Sequence, residues 1–285
     1  MNKEKIAILV DSCCDVSKEM VDKYGMYVVP LRIIYREKEY LDGIDITADE
    51  VYNNLSVEIP KTSLPSGELI HDIFKKIKAD GYDKVIGVSI SSGLSGTFNI
   101  LNLLSNDVDY LEFEFIDTKN IAIGAGFSAI LAGMLIDEGK EFHEIANILR
   151  ERVLKSKVFF CVNTLEYLQK GGRIGLVASL FGNALNLKPI ISCNEDGIYY
   201  TVAKVRGRKP SINKVMELAT KFVGDSKRYN LTVSDGFAHE EIVEVSKKMK
   251  EALPNYVFYG DGQISPALGV HTGPGLIGVC IQILD

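Results

Sequence analysis

The densest group of residues able to do chemistry is Ser91-Ser92-Gly93-Leu94-Ser95-Gly96-Thr97. It follows an apolar run, Lys84–Ile90, and precedes a helical pattern from about Phe98. Two chemistries suit a strand–turn–helix of this composition. Gly93-Leu94-Ser95-Gly96-Thr97 approaches the G-x-S-x-G elbow of serine hydrolases, with Thr97 in place of the second glycine. Asp235 and His271 downstream would complete a relay for an esterase acting on a lipid ester through Ser95. The other chemistry is anion binding. Small residues let backbone amides approach a ligand, and a helix N-terminus favours negative charge. The hydroxyls of Ser91, Ser92, Ser95 and Thr97 would then hold a carboxylate or phosphate without a fixed cation. Thr62 and Ser63, in a segment read as a loop, Lys61–Pro65, either add hydroxyls to the same pocket or cap the next helix.

Other chemistry-bearing residues are scattered. His271, followed by Thr272 and Gly273-Pro274-Gly275, reads as lying in a sharp turn, where it is a donor to an anion or a surface contact. Arg173 follows two glycines and Arg206 ends a strand-like run; both point to a partner or to an acidic group, or are simply solvated charge. The four histidines, His71, His143, His239 and His271, are far apart, so no metal site is expected. Gly273–Gly278 matches G-x-G-x-x-G but precedes a strand rather than a helix. Gly124-Ala125-Gly126-Phe127-Ser128-Ala129 falls inside a helical pattern, too late for a strand-to-helix turn. It reads as close helix–sheet packing, with a dinucleotide enzyme as a third reading. No P-loop occurs, and no cofactor is expected.

These residues need a frame. Strand-like runs at Lys5–Val10, Tyr27–Tyr35, Lys84–Ile90 and Glu112–Ile116 alternate with helices at Ser17–Tyr24, Ala48–Leu55 and from Ser66 to about Lys78. Thr47 and Glu50 form a capping box at the second of these, and Glu39–Ile46 reads as a polar hairpin around Asp42-Gly43. Strands alternating with helices predict a mostly parallel sheet with helices on both faces. Ligands bind such sheets outside the carboxyl ends of the strands. Asp11, Ser91–Thr97 and Asp117 would all lie at that edge. The longest apolar stretch, Ile121–Ile136, is short for a bilayer span and predicts a buried helix. After about Lys155 hairpin-spaced strands mix with helices, among them Lys188–Cys193, Gly197–Val205, Asn230–Ser234, Val257–Tyr259 and Leu276–Leu284. The expectation is an α/β domain over 1–156 and a second α+β domain over 157–285, with the ligand between them.

Composition narrows the function. The net charge is −6, and the cations are interspersed with acids, which argues against nucleic acid. The five cysteines are odd in number and form no C-x-x-C, which argues against a disulfide framework or structural zinc. Cys13 and Cys14 read as core residues. Reduced thiols and the lack of a leader-like segment suggest the cytoplasm, with membrane-surface contact still open.

Taken as a set, the motifs resemble the DegV family. Asp11-Ser12 with Asp15, Lys61-Thr62-Ser63-Leu64-Pro65-Ser66, Ser91–Thr97 and Ile116-Asp117-Thr118-Lys119 are similar to its first signatures. Leu165-Glu166-Tyr167-Leu168-Gln169-Lys170-Gly171-Gly172-Arg173-Ile174 and His271-Thr272-Gly273-Pro274-Gly275 complete the series in order. One departure is Cys13-Cys14, where a Thr-Ser-like pair is commoner. The resemblance implies a two-domain protein that buries a long-chain fatty acid and holds its carboxylate by hydroxyls. By position Thr62 and Ser95 would be the carboxylate ligands, with Ser92 and His271 close by. It also implies a role as the binding subunit of a fatty acid kinase, the partner phosphorylating the presented carboxylate for phospholipid synthesis. Arg206, near the mouth, would engage that kinase.

Overall fold

The computed structural model describes residues 2–180 and 187–285. In chain order the strands are β1 (Ile6–Asp11), β2 (Tyr27–Val29), β3 (Arg32–Ile34), β4 (Glu39–Leu41), β5 (Lys61–Ser63), β6 (Lys84–Ser89), β7 (Glu112–Asp117), β8 (Ser156–Cys161), β9 (Leu187–Cys193), β10 (Tyr199–Arg206), β11 (Tyr229–Gly236), β12 (Tyr256–Gln263) and β13 (Leu276–Ile283). The helices are α1 (Lys18–Tyr24), α2 (Ala48–Asn54), α3 (Gly67–Ala79), α4 (Thr97–Ser105), α5 (Ile123–Asp137), α6 (Phe142–Arg152), α7 (Glu166–Lys170), α8 (Arg208–Val223), α9 (His239–Ala252) and α10 (Pro266–Thr272).

A parallel sheet in the order β2-β1-β6-β7 carries the first half. Every residue of β1 is buried, because both faces are covered. Ile6, Ile8 and Val10 pack with Ala125, Ala129 and Ile145 of α5 and α6. Ala7 and Leu9, one pleat over, pack with Ile70 and Phe74 of α3 and Leu101 of α4. The second half is built on a mixed sheet, β10-β9-β8-β13-β11-β12, in which β11 and β12 run parallel and the other pairs antiparallel. Its outer face, with Leu231, Val233, Ile277 and Val279, packs on α8 and α9. Helix α5 contacts β1 and β6 on one side and β8 and β13 on the other. A helix apolar around its whole circumference is what that position requires. Among the described residues no helix is long and apolar enough to cross a membrane.

Three local expectations need correction. Tyr27–Tyr35 is not one strand. Pro30 cannot continue a hydrogen-bonded ladder, and the chain leaves the parallel sheet there; β3 joins a separate small sheet, β4-β3-β5. The hairpin turn lies between β3 and β4, at 35–38, rather than at Asp42-Gly43. Lys61–Ser63 is a strand, paired to β3 with Ile33 opposite Thr62, and not a loop.

The Gly124–Ala129 motif packs as a close helix contact. A Cβ on Gly126 would lie 2.3 Å from the carbonyl oxygen of Cys14. Gly126→Ala is therefore expected to destabilise the fold by about 1–3 kcal/mol, read from urea unfolding, through overpacking against backbone.

Candidate functional site

The order β2-β1-β6-β7 places a topological switch point between β1 and β6, so a crevice opens at their carboxyl ends. Asp11 floors it. Its buried carboxyl accepts the amides of Cys13 at 2.9 Å and Ile90 at 2.7 Å, tying the two loops together. Burial pushes its pKa up to about 7 against those hydrogen bonds.

The Ser91–Thr97 loop leaves the same edge, but only part of it faces the crevice. Ser91, fully buried, donates to the carbonyl of Gly197 at 2.9 Å and so docks the loop on the second half. The amides of Ser92, Gly93, Leu94 and Ser95 are bonded to Asp117, the Ser91 hydroxyl and the Ser91 carbonyl. The amides from Ser92 to Ser95 are thus taken up within the loop and by Asp117. Ser92 donates to Asp117 and accepts from Lys119, and it lies outside the cavity lining. Ser95 lines the cavity, with its oxygen 2.8 Å from Thr97 Oγ1.

That cavity brings Thr62, Ser95, Arg173 and His271 to one polar end. His271 sits in the last turn of α10, not in the open turn its Gly-Pro-Gly neighbours predicted. The helix is held from across the seam. Asp42 accepts the amide of Ala267 at 2.8 Å and the hydroxyl of Ser12 at 2.5 Å, and Asp15 accepts the amide of Ser265 at 3.2 Å. His271 Nε2 then lies 2.7 Å from Thr62 Oγ1. Gly171 is needed beside the ring, since a Cβ there would come within 2.0 Å of His271 Nδ1.

Arg173, read from sequence as pointing to a partner or to an acidic group, or as solvated charge, turns into the seam. Its guanidinium donates to the carbonyls of Leu94 at 3.3 Å and Gly171 at 2.8 Å and lines the cavity. Among the described residues it makes no ion pair. Burial, helped by the Arg173 charge, lowers the His271 pKa to about 4, so the ring is neutral at pH 7. Arg206 is exposed at the end of β10, away from this cavity.

A second cavity shares Ile121, Tyr199, Leu268 and Thr272 with the first and continues among Val158, Phe160, Leu276 and Cys280. The result is a polar end followed by an apolar path. Tyr199 and Cys13 line it although their sequence context read only as strand and core. The hydrolase relay is not assembled. Asp235 accepts the amide of Ala238 at 2.8 Å, and His271 bonds Thr62 rather than Ser95. Among the described residues no group of His, Cys, Asp and Glu is arranged to hold a metal.

The half-buried histidine gives a pH test. Its folded pKa of about 4 lies below the unfolded 6.5, so the unfolded chain binds the proton more readily and stability falls as pH drops through this window. Asp11 and Asp42, whose pKa values are raised to about 7 and about 6, act in the opposite sense, so the comparison is with a variant. Between pH 7 and pH 5, His271→Gln is expected to remove about 1–2 kcal/mol of acid-induced loss relative to the unsubstituted protein, measured by urea unfolding.

Comparison with known proteins bears on the family and the fold. The family model described as uncharacterised protein, DegV family, matches residues 5–283. A DegV domain-containing protein of Clostridium acetobutylicum is 44% identical over 278 residues, covering 98% of this chain and 99% of its own. Among solved structures, DegV of Bacillus subtilis, described as a fatty acid binding protein, superposes with a TM-score of 0.90 at 27% identity, covering 100% of both chains. A stearic acid-binding protein of Eubacterium ventriosum superposes at 0.87 with 29% identity, covering 98% of each. Motifs, topology and these matches along nearly the whole length place the chain in the DegV family.

Proposed function

We propose that this protein binds a long-chain fatty acid in the seam between domains spanning 1–156 and 157–285. The carboxylate sits at Thr62, Ser95, His271 and Arg173, and the tail follows the apolar path. The observation that carries this reading is Arg173, a guanidinium without an ion pair among the described residues, facing the polar end of a cavity that is otherwise apolar. A half-buried charge facing such surroundings favours an opposite charge with hydrogen bonds. The neutral imidazole and two hydroxyls supply those bonds without a second cation. Beyond the polar end the path is walled by Val158, Phe160, Leu276 and Cys280, the apolar surroundings an acyl chain requires. Burying ~14 methylenes contributes on the order of 10 kcal/mol, enough to absorb ordering costs and still bind below micromolar concentration.

The chemistry on that carboxylate belongs to a partner. Neither the Ser95–Thr97 pair nor the Thr62–His271 pair carries a carboxylate that would make a base of it. We assign the protein the role of a cytoplasmic binding subunit that presents the fatty acid to a separate kinase for acyl-phosphate formation. It would load and unload by transient contact with the membrane surface. Arg206, exposed on β10, is the residue assigned to the kinase contact.

Native mass spectrometry of the purified protein is expected to show a long-chain fatty acid at about one per chain; a protein that is empty and ignores added fatty acid would sink the reading. Ser95→Ala should weaken binding by about tenfold or more, the worth of one hydrogen bond to a charged group, with an unchanged circular dichroism spectrum. Arg206→Ala should retain fatty acid affinity and lose acyl-phosphate formation when a cognate kinase and ATP are added. Turnover of acyl esters by the isolated chain, abolished by Ser95→Ala, would favour the esterase instead.

A further inference from the structure

The apolar path does not end in an apolar cap. Ser234 lines its far end and also lines a third cavity, of about 140 Å³, whose other walls include Asp15, Ser17, Thr232, Asp261 and Gln263. A water in the liquid takes up about 30 Å³, so this chamber has room for a chain end and its hydration. Asp261, Gly262 and Gln263 are shared in turn with an open groove beside α9 and β12. The linings overlap in series, from the polar end at His271, through the apolar stretch, to a chamber that carries hydroxyl and carboxyl groups and adjoins the open groove.

The chamber follows from the register of the second sheet. Thr232 and Ser234 point to one face of β11, while Leu231 and Val233 point to the apolar core behind it. Their neighbours on β12 are Gly260 and Gly262, which leave open the space above the two hydroxyls. Thr232 is buried, 6% exposed, and its Oγ1 has no hydrogen-bond partner among the described residues. Asp15 Oδ2 is also buried without one, although Oδ1 accepts the amide of Ser265. A methyl group that displaced water from beside these oxygens would leave them unsatisfied, which is costly. A hydroxyl on the ligand both donates and accepts, and would satisfy them.

We propose that the fatty-acid site extends into this chamber and accepts acyl chains that carry a hydroxyl at the tail end. This inference rests on the fatty-acid reading above. In a dry apolar tunnel end, a terminal hydroxyl would weaken binding by about 10- to 100-fold.

The test is a set of dissociation constants, by isothermal titration calorimetry on the delipidated full chain. Each saturated acid of 14, 16 and 18 carbons is paired with its ω-hydroxy counterpart. The expected result is that, at one length or more, the hydroxy acid binds within about threefold of its parent or more tightly. Thr232→Val should then shift the ratio of the two affinities by about tenfold against the hydroxy acid at that length. A penalty of tenfold or more at all three lengths overturns the proposal and leaves the fatty-acid reading standing. A ratio that Thr232→Val does not move overturns the assignment of the chamber. Failure of both members of every pair to bind removes the fatty-acid reading and this inference with it.

Discussion

The polar end of the cavity hangs on one contact, the hold that Asp42 and Asp15 keep on the first turn of α10. A seven-residue helix has no stability of its own. Here its amides at Ser265 and Ala267 are taken by carboxyls from the opposite half of the molecule. A hydrogen bond contributes about 0.5–1.5 kcal/mol net, so each matters more for the position it fixes than for its energy. With the first turn fixed, the last turn puts His271 on Thr62, and Leu268 and Thr272 form the wall between the two cavities.

Charge is distributed unequally around that contact. Asp11 and Asp42 are buried and draw most of their hydrogen bonds from backbone amides, and their pKa values rise because burial outweighs those bonds. Among the described residues Arg173 is left without a carboxylate although acids lie elsewhere in the same seam. Keeping acid and base apart has a functional sense. A guanidinium already paired would offer a ligand carboxylate little, because the pair would first have to be broken. The neutral His271 adds a hydrogen-bonding group without competing as a second cation.

The same separation explains why the hydroxyl-rich loop is only partly used by the cavity. Ser91 and Ser92 are spent on structure, one joining the loop to Gly197 and the other to Asp117 and Lys119. Those bonds hold Leu94 and Ser95 at the cavity wall, and Leu94 offers its carbonyl to Arg173. Mutations at Ser91 or Ser92 would thus act on the site through the loop's position.

Much of the frame was legible from residue order, because it depends on neighbours along the chain. The capping box at Thr47 and Glu50 has both of its bonds, and Ser17 and Ser66 cap their helices as expected. The parallel strands, the wholly buried α5 and the β9–β10 hairpin follow from local hydrophobic pattern and turn residues. The motifs at Thr62, Ser95, Gly171–Arg173 and His271 were each visible, and so was their resemblance to one family. What the linear sequence could not decide was which partners those residues meet. Thr62 and His271 are 209 positions apart, and Arg173 meets Leu94 across 79. Ser92 and Ser95 look alike in sequence, yet Asp117 claims one and the cavity takes the other. Pairing of this kind is set by where sheets cross and helices dock, so it is decided only when the two halves close on each other.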